Sequence, residues 1–486
     1  AAESHRVRQI IPGKKTKALT NNRFEVNISS EASIQELYNL LKQSGDIVGG
    51  IFNLLGLSDG QARRNDGTLD YAKGLFLLLK VFEHDLKQSA GSGGGWLLNF
   101  TGMGGQFGFD RERAFSIDQT GCVGLLKTVA REWQEIKVKC IDVDLDMEPH
   151  MLLAQITQEL MTIDGLVEIG LNHKGRWRIS LHKENPNGAA RSPLSLDSNS
   201  VILVTGGGHG ITAEVAKSLA KQYQTQIIIV GRTPFPGDES PKTRDLQEPQ
   251  ALREFLIREM RQKDSSPKPA DVEKQLQKIL KGRQILENFR AIEDTKARVE
   301  YHAIDVRDEK LFGQLLDNIY AKYGRIDGVI HGAGIIEDKL IRDKLPESFS
   351  KVFATKVVPA KVLAEKLQPN TLKFLVFFSS VAGCFGNVGQ SDYSAANEVL
   401  NKLAIKLDRQ WPARVVSINW GPWDSGMVNE ELRKLYSAEG IELIPMDEGI
   451  RFFTEELHQN GKGTPVVVVT RSIEKISGLS LDNPAL

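Results

Sequence analysis

The chain has 486 residues, enough for two or three domains with cores of their own, which excludes a small disulfide-held scaffold. Lysine plus arginine and aspartate plus glutamate each number 62, so no overall charge draws the protein to nucleic acid or an anionic membrane surface. Cys122, Cys140 and Cys384 stand apart with no C-x-x-C spacing, which argues against disulfides and a metal site and favours a reducing, cytoplasmic setting.

No apolar run approaches the ~18 residues of a membrane span and the first residues have no signal-peptide core, so a soluble protein is expected. Three segments in the front half have counterparts further on. GDIVGGIFN from Gly45 parallels GRIDGVIHG from Gly324 at an offset of 279, WLLNFTGM from Trp96 parallels FLVFFSSV from Phe374 at 278, and VKCID from Val138 parallels VVSIN from Val415 at 277. A near-constant offset over three strands predicts two related sheets. Gly206 would need its partner ahead of residue 1, so the front copy is truncated and has no dinucleotide loop.

Residues 183–200 are rich in Pro, Gly, Ser and Asn and read as a linker between a front subdomain, 1–195, and a rear one, 196–486. In the rear, residues 201–204, 227–230, 299–304, 328–331, 374–378, 414–419 and 466–469 are apolar runs between helical stretches and predict seven buried strands. The fold class expected is α/β: two Rossmann-like subdomains with doubly wound parallel sheets, the first truncated. Within the 233–297 connection, residues 241–297 are charged, with Leu and Ile at helical spacing; they predict a helical insertion, read as a solvated ornament, with partner docking as the alternative.

The first rear strand runs into Thr205, Gly206, Gly207, Gly208, His209, Gly210 and Ile211, where a buried strand turns into a helix. Glycines there let backbone N–H groups approach a pyrophosphate that the helix N-terminus stabilises, so a dinucleotide is the natural ligand. Glycines alone are weak evidence, and GSGGG at 91–95 reads as a plain loop. Arg232 ends the second strand where NAD-preferring folds carry an acid, and favours a 2′-phosphate and hence NADP. Asp305 and Val306, after the third strand, are placed to bracket the adenine, and Gly332, Ala333 and Gly334, after the fourth, let the chain pass close to the nicotinamide ribose.

Ser380 ends the fifth strand; Tyr393 and Asn397 follow one turn apart on a predicted helix, all three at the carboxyl edge of the sheet. Taken singly, a Ser at a strand end is usually a cap, a Tyr is usually packing and a Lys is usually solvated. Together they resemble the short-chain dehydrogenase/reductase superfamily, and more narrowly the ketoreductase domains of polyketide and polyunsaturated fatty acid synthases, over nearly the whole chain. That resemblance assigns the catalytic lysine to Lys356 in ATKV, makes Ser380, Tyr393 and Asn397 the other active residues, and puts Pro422 and Trp423 of NWGPW beside the nicotinamide. The sequence departs from the family at Thr212, where a third glycine often stands, which puts helix-to-strand packing in question.

The resemblance implies NADPH-dependent reduction of a 3-oxoacyl thioester borne on the phosphopantetheine of an acyl carrier protein, among neighbouring synthase domains, with no nucleic-acid or membrane partner. Tyr393, its pKa lowered by Lys356 and the oxidised nicotinamide, would quench the alkoxide. Ile336-Glu337-Asp338 at the family's Leu-Asp-Asp position, with Phe385 where the opposite class carries Trp, implies a B-type enzyme giving the D-alcohol. Residues 427–444 predict a lid over the pantetheine arm. In the front half Gly102, Phe115 and Gln119 stand at the positions of Ser380, Tyr393 and Asn397, so that half is expected to be inert. A catalytically silent scaffold of the same fold and a free-standing reductase of a small ketone are the alternatives.

Overall fold

Runs such as Val-Ile-Leu-Val-Thr are too short and too uniformly apolar for an amphipathic helix, and all seven rear runs form strands of one sheet. The structure, a computed structural model, describes residues 6–57, 68–111, 113–183, 194–237, 239–263, 268–425, 428, 430–458 and 463–478. The expected linker falls largely on 184–193 and the start of the expected lid on 427 and 429, outside the described residues, as are 1–5.

In chain order the front part comprises β1 (Gln9–Pro12), β2 (Lys17–Thr20), β3 (Arg23–Val26), α1 (Glu31–Gln43), β4 (Gly50–Gly56), α2 (Thr68–Ala90), β5 (Trp96–Thr101), α3 (Gly121–Glu132), β6 (Lys137–Val143), α4 (Pro149–Leu160), β7 (Glu168–Asn172) and β8 (Gly175–Trp177). The rear continues with β9 (Val201–Thr205), α5 (Gly210–Tyr223), β10 (Gln226–Gly231), α6 (Pro241–Arg244), α7 (Pro249–Lys263), α8 (Pro269–Glu293), β11 (Arg298–Ala303), α9 (Glu309–Tyr323), β12 (Gly328–His331), α10 (Pro346–Lys366) and β13 (Phe374–Ser380). It ends with α11 (Val381–Phe385), α12 (Ser391–Gln410), β14 (Arg414–Trp420), α13 (Glu430–Glu439), α14 (Met446–Leu457), β15 (Val466–Val469) and α15 (Ile473–Ser477).

The rear sheet has the order β11-β10-β9-β12-β13-β14-β15 and every pairing is parallel. Strand order reverses between β9 and β12, which opens a crevice at their carboxyl ends. The front sheet, β4-β5-β6-β7-β8, is parallel except for its last strand. Gly50 lies opposite Trp96 as Gly328 lies opposite Phe374, so the two sheets share even their register, at an offset of 278. Segment similarity alone put the first strand one residue further on.

A three-stranded sheet, β1-β3-β2, precedes the front sheet and was not expected. Its strands have four residues each, too few to carry a periodicity, and it is held by Ile34, Leu37 and Leu41 of α1 packing with Phe24 and Val26. The insertion is helical as expected but is not an ornament. Leu252, Leu256, Val272 and Leu276 give α7 and the first half of α8 a small core of their own. The second half of α8 turns a different face inward, burying Ile285, Asn288 and Ile292, and serves as the crossover between β10 and β11.

One apolar core runs through both halves. Phe76 of α2 stacks on Phe349 of α10 with ring centroids 4.4 Å apart. Helix α3 meets α12 backbone to backbone: a Cβ at Gly124 would lie 2.3 Å from the Ser394 carbonyl oxygen. Among the described residues no helix is long and apolar enough to cross a membrane.

Candidate active site

The turn after β9 is built from main chain. Gly206 has φ +77, and a Cβ on it would lie 2.8 Å from the Ala333 nitrogen; one on Gly207 would lie 2.6 Å from Val204 Cγ1. His209, the N-cap of α5, supplies no side-chain cap, so the positive end of that helix has no side-chain oxygen on it. Asn288 Nδ2 of α8 donates to the Gly208 carbonyl at 3.1 Å and holds the turn from behind. A side-chain-free turn ahead of an uncapped helix fits a dinucleotide pyrophosphate, with Gly210 and Ile211 opening the helix.

Arg232 is exposed just past the end of β10. Its charge reaches Asp305, whose carboxyl is held below the ordinary range chiefly by its hydrogen bonds with Arg307, at 2.6 Å to Nη2. Arg307 is a second cation at this edge that sequence reading passed over, while Val306 is turned into the core.

The question raised by Thr212 is answered across the crevice. A Cβ on Gly332 would lie 2.4 Å from Thr212 Oγ1, so a glycine after β12 makes the room that a glycine in α5 would otherwise provide. Beneath it Thr205 Oγ1 is 2.7 Å from His331 Nδ1, and His331 Nε2 is 2.9 Å from the Lys356 carbonyl oxygen. Burial pushes His331 down to about 3, so the ring is neutral. The carbonyl can only accept, hence Nε2 carries the proton and Nδ1 accepts from Thr205.

Lys356 reaches this crevice from α10. Its Nζ donates to the Phe378 carbonyl at 2.7 Å and stands 5.4 Å from the centroid of the Tyr393 ring, and a Cβ on Gly334 would come within 3.1 Å of its Cε. Ser380 closes β13 and accepts from Ala382 N at 3.2 Å, capping α11. Asn397 Nδ2 donates to the Tyr393 carbonyl at 2.8 Å; its Oδ1 is buried and has no partner among the described residues. Lys356, Ser380, Tyr393 and Asn397 are thus gathered at one place.

The expected lowering of the phenol does not come from the chain's own groups. Burial pushes Tyr393 up to about 12, against hydrogen bonding to Asn397 and Ser380, and pushes Lys356 down to about 7. The ammonium lies over the ring and bonds a carbonyl rather than the phenol oxygen, so neither charge supports the other. Trp423 is 3% exposed, packs on Trp420 and Gly449, and the chain beside it pairs with Ile444, closing the base of the 427–444 segment.

Residues 200–425 match the family model of the KR domain. This chain carries a KR domain. Such domains are oxidoreductases that take a nicotinamide coenzyme, as the glycine turn and the Ser-Tyr-Lys grouping led one to expect. One of the polyunsaturated fatty acid synthase subunits of Thraustochytrium sp. is 31% identical over 388 residues, covering 77% of this chain and 14% of that protein. Polyketide synthase PksN of Bacillus subtilis is 27% identical over 368 residues, 74% of this chain and 6% of its relative. The KR domain and its front half are therefore a small part of the length of these multidomain synthases. A crystal structure of an N-terminal ketoreductase from the macrolactin assembly line superposes with a TM-score of 0.68 over 97% of this chain and 83% of that one, at 19% identity, a likeness of fold.

Beside α12, the helix of the KR domain that bears Tyr393 and Asn397, lie charges that no motif announced. Lys127 of α3 and Glu168 of β7 meet Glu398 and Lys402 of α12 in a buried quartet, with Lys127 2.7 Å from Glu168 and 3.3 Å from Glu398, and Lys402 3.0 Å from Glu168 and 3.2 Å from Glu398. Lys344, wholly buried, pairs with Asp392 at 2.7 Å, one residue before Tyr393. Both sets join segments distant in sequence, and a lone Lys or Glu at helical spacing reads as a solvated face.

Proposed function

We propose that residues 196–486 reduce the 3-oxo group of an acyl thioester on the phosphopantetheine of an acyl carrier protein, using NADPH, while residues 1–195 form a coenzyme-free subdomain that braces them. The observation that carries this reading is the convergence of Lys356, Ser380, Tyr393 and Asn397 at the carboxyl ends of β12 and β13, beside a turn suited to a pyrophosphate. Residues 205–211, 332–334, Arg232 and Asp305 would hold the coenzyme, which when bound supplies the hydride.

The chain's own part is to place the ketone and manage one proton. Ser380 Oγ donates to the ketone oxygen and holds the carbonyl at the reacting distance. Tyr393, protonated because burial holds it up at about 12, gives its proton to the oxyanion, so that the C=O becomes C–OH. Lys356, charged below about 7, offsets the phenolate left behind, so that a neutral phenol beside an ammonium becomes an ion pair as the reaction proceeds. Asn397 Oδ1, a buried acceptor without a protein partner, holds a water that returns the proton from solvent.

NADPH oxidation with an unbranched 3-oxoacyl pantetheine thioester tests the reading, and the product is expected to be the D-alcohol by chiral chromatography. No NADPH consumption rejects the activity; an L-alcohol rejects only the B-type assignment. Arg232→Ala is expected to weaken NADPH about tenfold, the loss of one exposed charge-assisted contact, and to leave NADH unchanged in a fluorescence titration. Equal effects on the two coenzymes would remove Arg232 from the 2′-phosphate site.

A further inference from the structure

Two segments flank Tyr393, residues 335–345 after β12 and residues 386–390 ahead of α12. They are tied to one another: Lys339 N donates to the Gly389 carbonyl at 3.0 Å, Gln390 Nε2 to Asp338 Oδ2 at 3.0 Å, and Lys344 Nζ to both the Glu337 carbonyl at 2.8 Å and Asp392 Oδ2 at 2.7 Å. The charge of Asp338 is felt at the Tyr393 phenol, so these segments form walls around the place where a ketone meets the proton donor.

Both walls are also held from the front half, which has no catalytic side chain of its own. Glu132, the last residue of α3, accepts from Ile341 N through Oε2 at 3.0 Å and from Gly389 N through Oε1 at 2.9 Å. Lys80 of α2 donates to the carbonyls of Lys344 at 2.7 Å, Arg342 at 3.0 Å and Ile341 at 3.5 Å. One carboxylate thus spans two segments, one oxygen to each. An amide keeps a single oxygen and turns a donor toward the second N–H, so glutamine can serve only one wall.

Resting on the ketoreductase reading, we propose that Glu132, supported by Lys80, is a positioning residue that sets the configuration of the alcohol by fixing the spacing of these two walls. Among the described residues neither bonds Lys356, Ser380, Tyr393 or the coenzyme turn, so their loss leaves the chemistry in place and widens the space in which the ketone can turn over.

The test uses the full chain with Glu132→Ala, Glu132→Gln and Lys80→Met. Hydrogen exchange at the Ile341 and Gly389 amides reads the clamp without turnover and is expected to quicken at least about tenfold in Glu132→Ala, the loss of one hydrogen bond at each amide. With NADPH and the same pantetheine thioester, the ratio of the two alcohols is expected to fall about tenfold in Glu132→Ala and less in Glu132→Gln, with NADPH affinity unchanged. Lys80→Met, on another helix, is expected to lower the ratio as well and covers the case in which Glu132→Ala fails to fold. Unchanged exchange at both amides overturns the clamp even if the wild type reduces no thioester. An unchanged ratio in folded, active variants overturns its control of configuration while the ketoreductase reading stands.

Discussion

Replacing Tyr393 by phenylalanine is expected to lower kcat with the 3-oxoacyl thioester by about a thousandfold, within the range for losing a general acid, and to leave NADPH binding within about twofold. The ring packs with Val352 and Ala382, and phenylalanine keeps those contacts. Only the hydroxyl goes, and with it the one proton placed to meet the oxyanion. The pH profile separates this role from simple packing. Lys356, pushed down to about 7 by burial, is charged below that pH and neutral above it. A neutral amine cannot support the phenolate, so wild-type turnover is expected to fall as pH rises through about 7. That limb should vanish in Lys356→Met, whose turnover is low throughout. A Tyr393→Phe enzyme within tenfold of wild type would remove the phenol from the proposed mechanism.

The seven rear strands were legible because each is a short apolar run bounded by polar turns, the five inner ones buried and the edge strands β11 and β15 half-buried, and the family relation because Ser380, Tyr393, Asn397 and the glycine turn stand at spacings with a shared physical purpose. The internal repeat was legible for a similar reason: β5 and β6 keep the apolar pattern of β13 and β14 although Gly102, Phe115 and Gln119 stand where Ser380, Tyr393 and Asn397 do in the rear half. What could not be read is of another kind. The crossover role of α8 was hidden because its apolar positions serve two different neighbours along its length, α7 first and the glycine turn later. Glu132, Lys80, Lys127 and Glu168 act on residues more than 200 positions away, and nothing local marks a charge that will be buried against a partner not yet in view. The direction of the Tyr393 shift likewise depends on where the ammonium points, toward a carbonyl and a ring face, which a motif does not specify.

Glu168→Ala is expected to cost about 3–5 kcal/mol of stability, because it leaves the buried Lys127 and Lys402 to share the ion pair with Glu398. Burial alone would raise the Glu168 carboxyl, but Lys127 and Lys402 hold it down to about 2 from its ordinary 4.5. A folded-state pKa below the unfolded one stabilises above about 4.5 and is lost as pH falls toward 2, so the wild type should soften over that acid window and Glu168→Ala should not. The paired change Lys127→Met with Glu168→Leu leaves Glu398 and Lys402 as a neutral pair 3.2 Å apart and is expected to cost less than about 2 kcal/mol. Denaturant melts of Lys127→Met, Glu168→Leu and the double variant measure the coupling. If it is large, the helix bearing Tyr393 and Asn397 has its charge balance completed by α3 and β7, which explains why α3 of the front half is packed against it at backbone distance. Additive losses would mean that the four charges act separately, and the front sheet would then have no electrostatic share in holding α12.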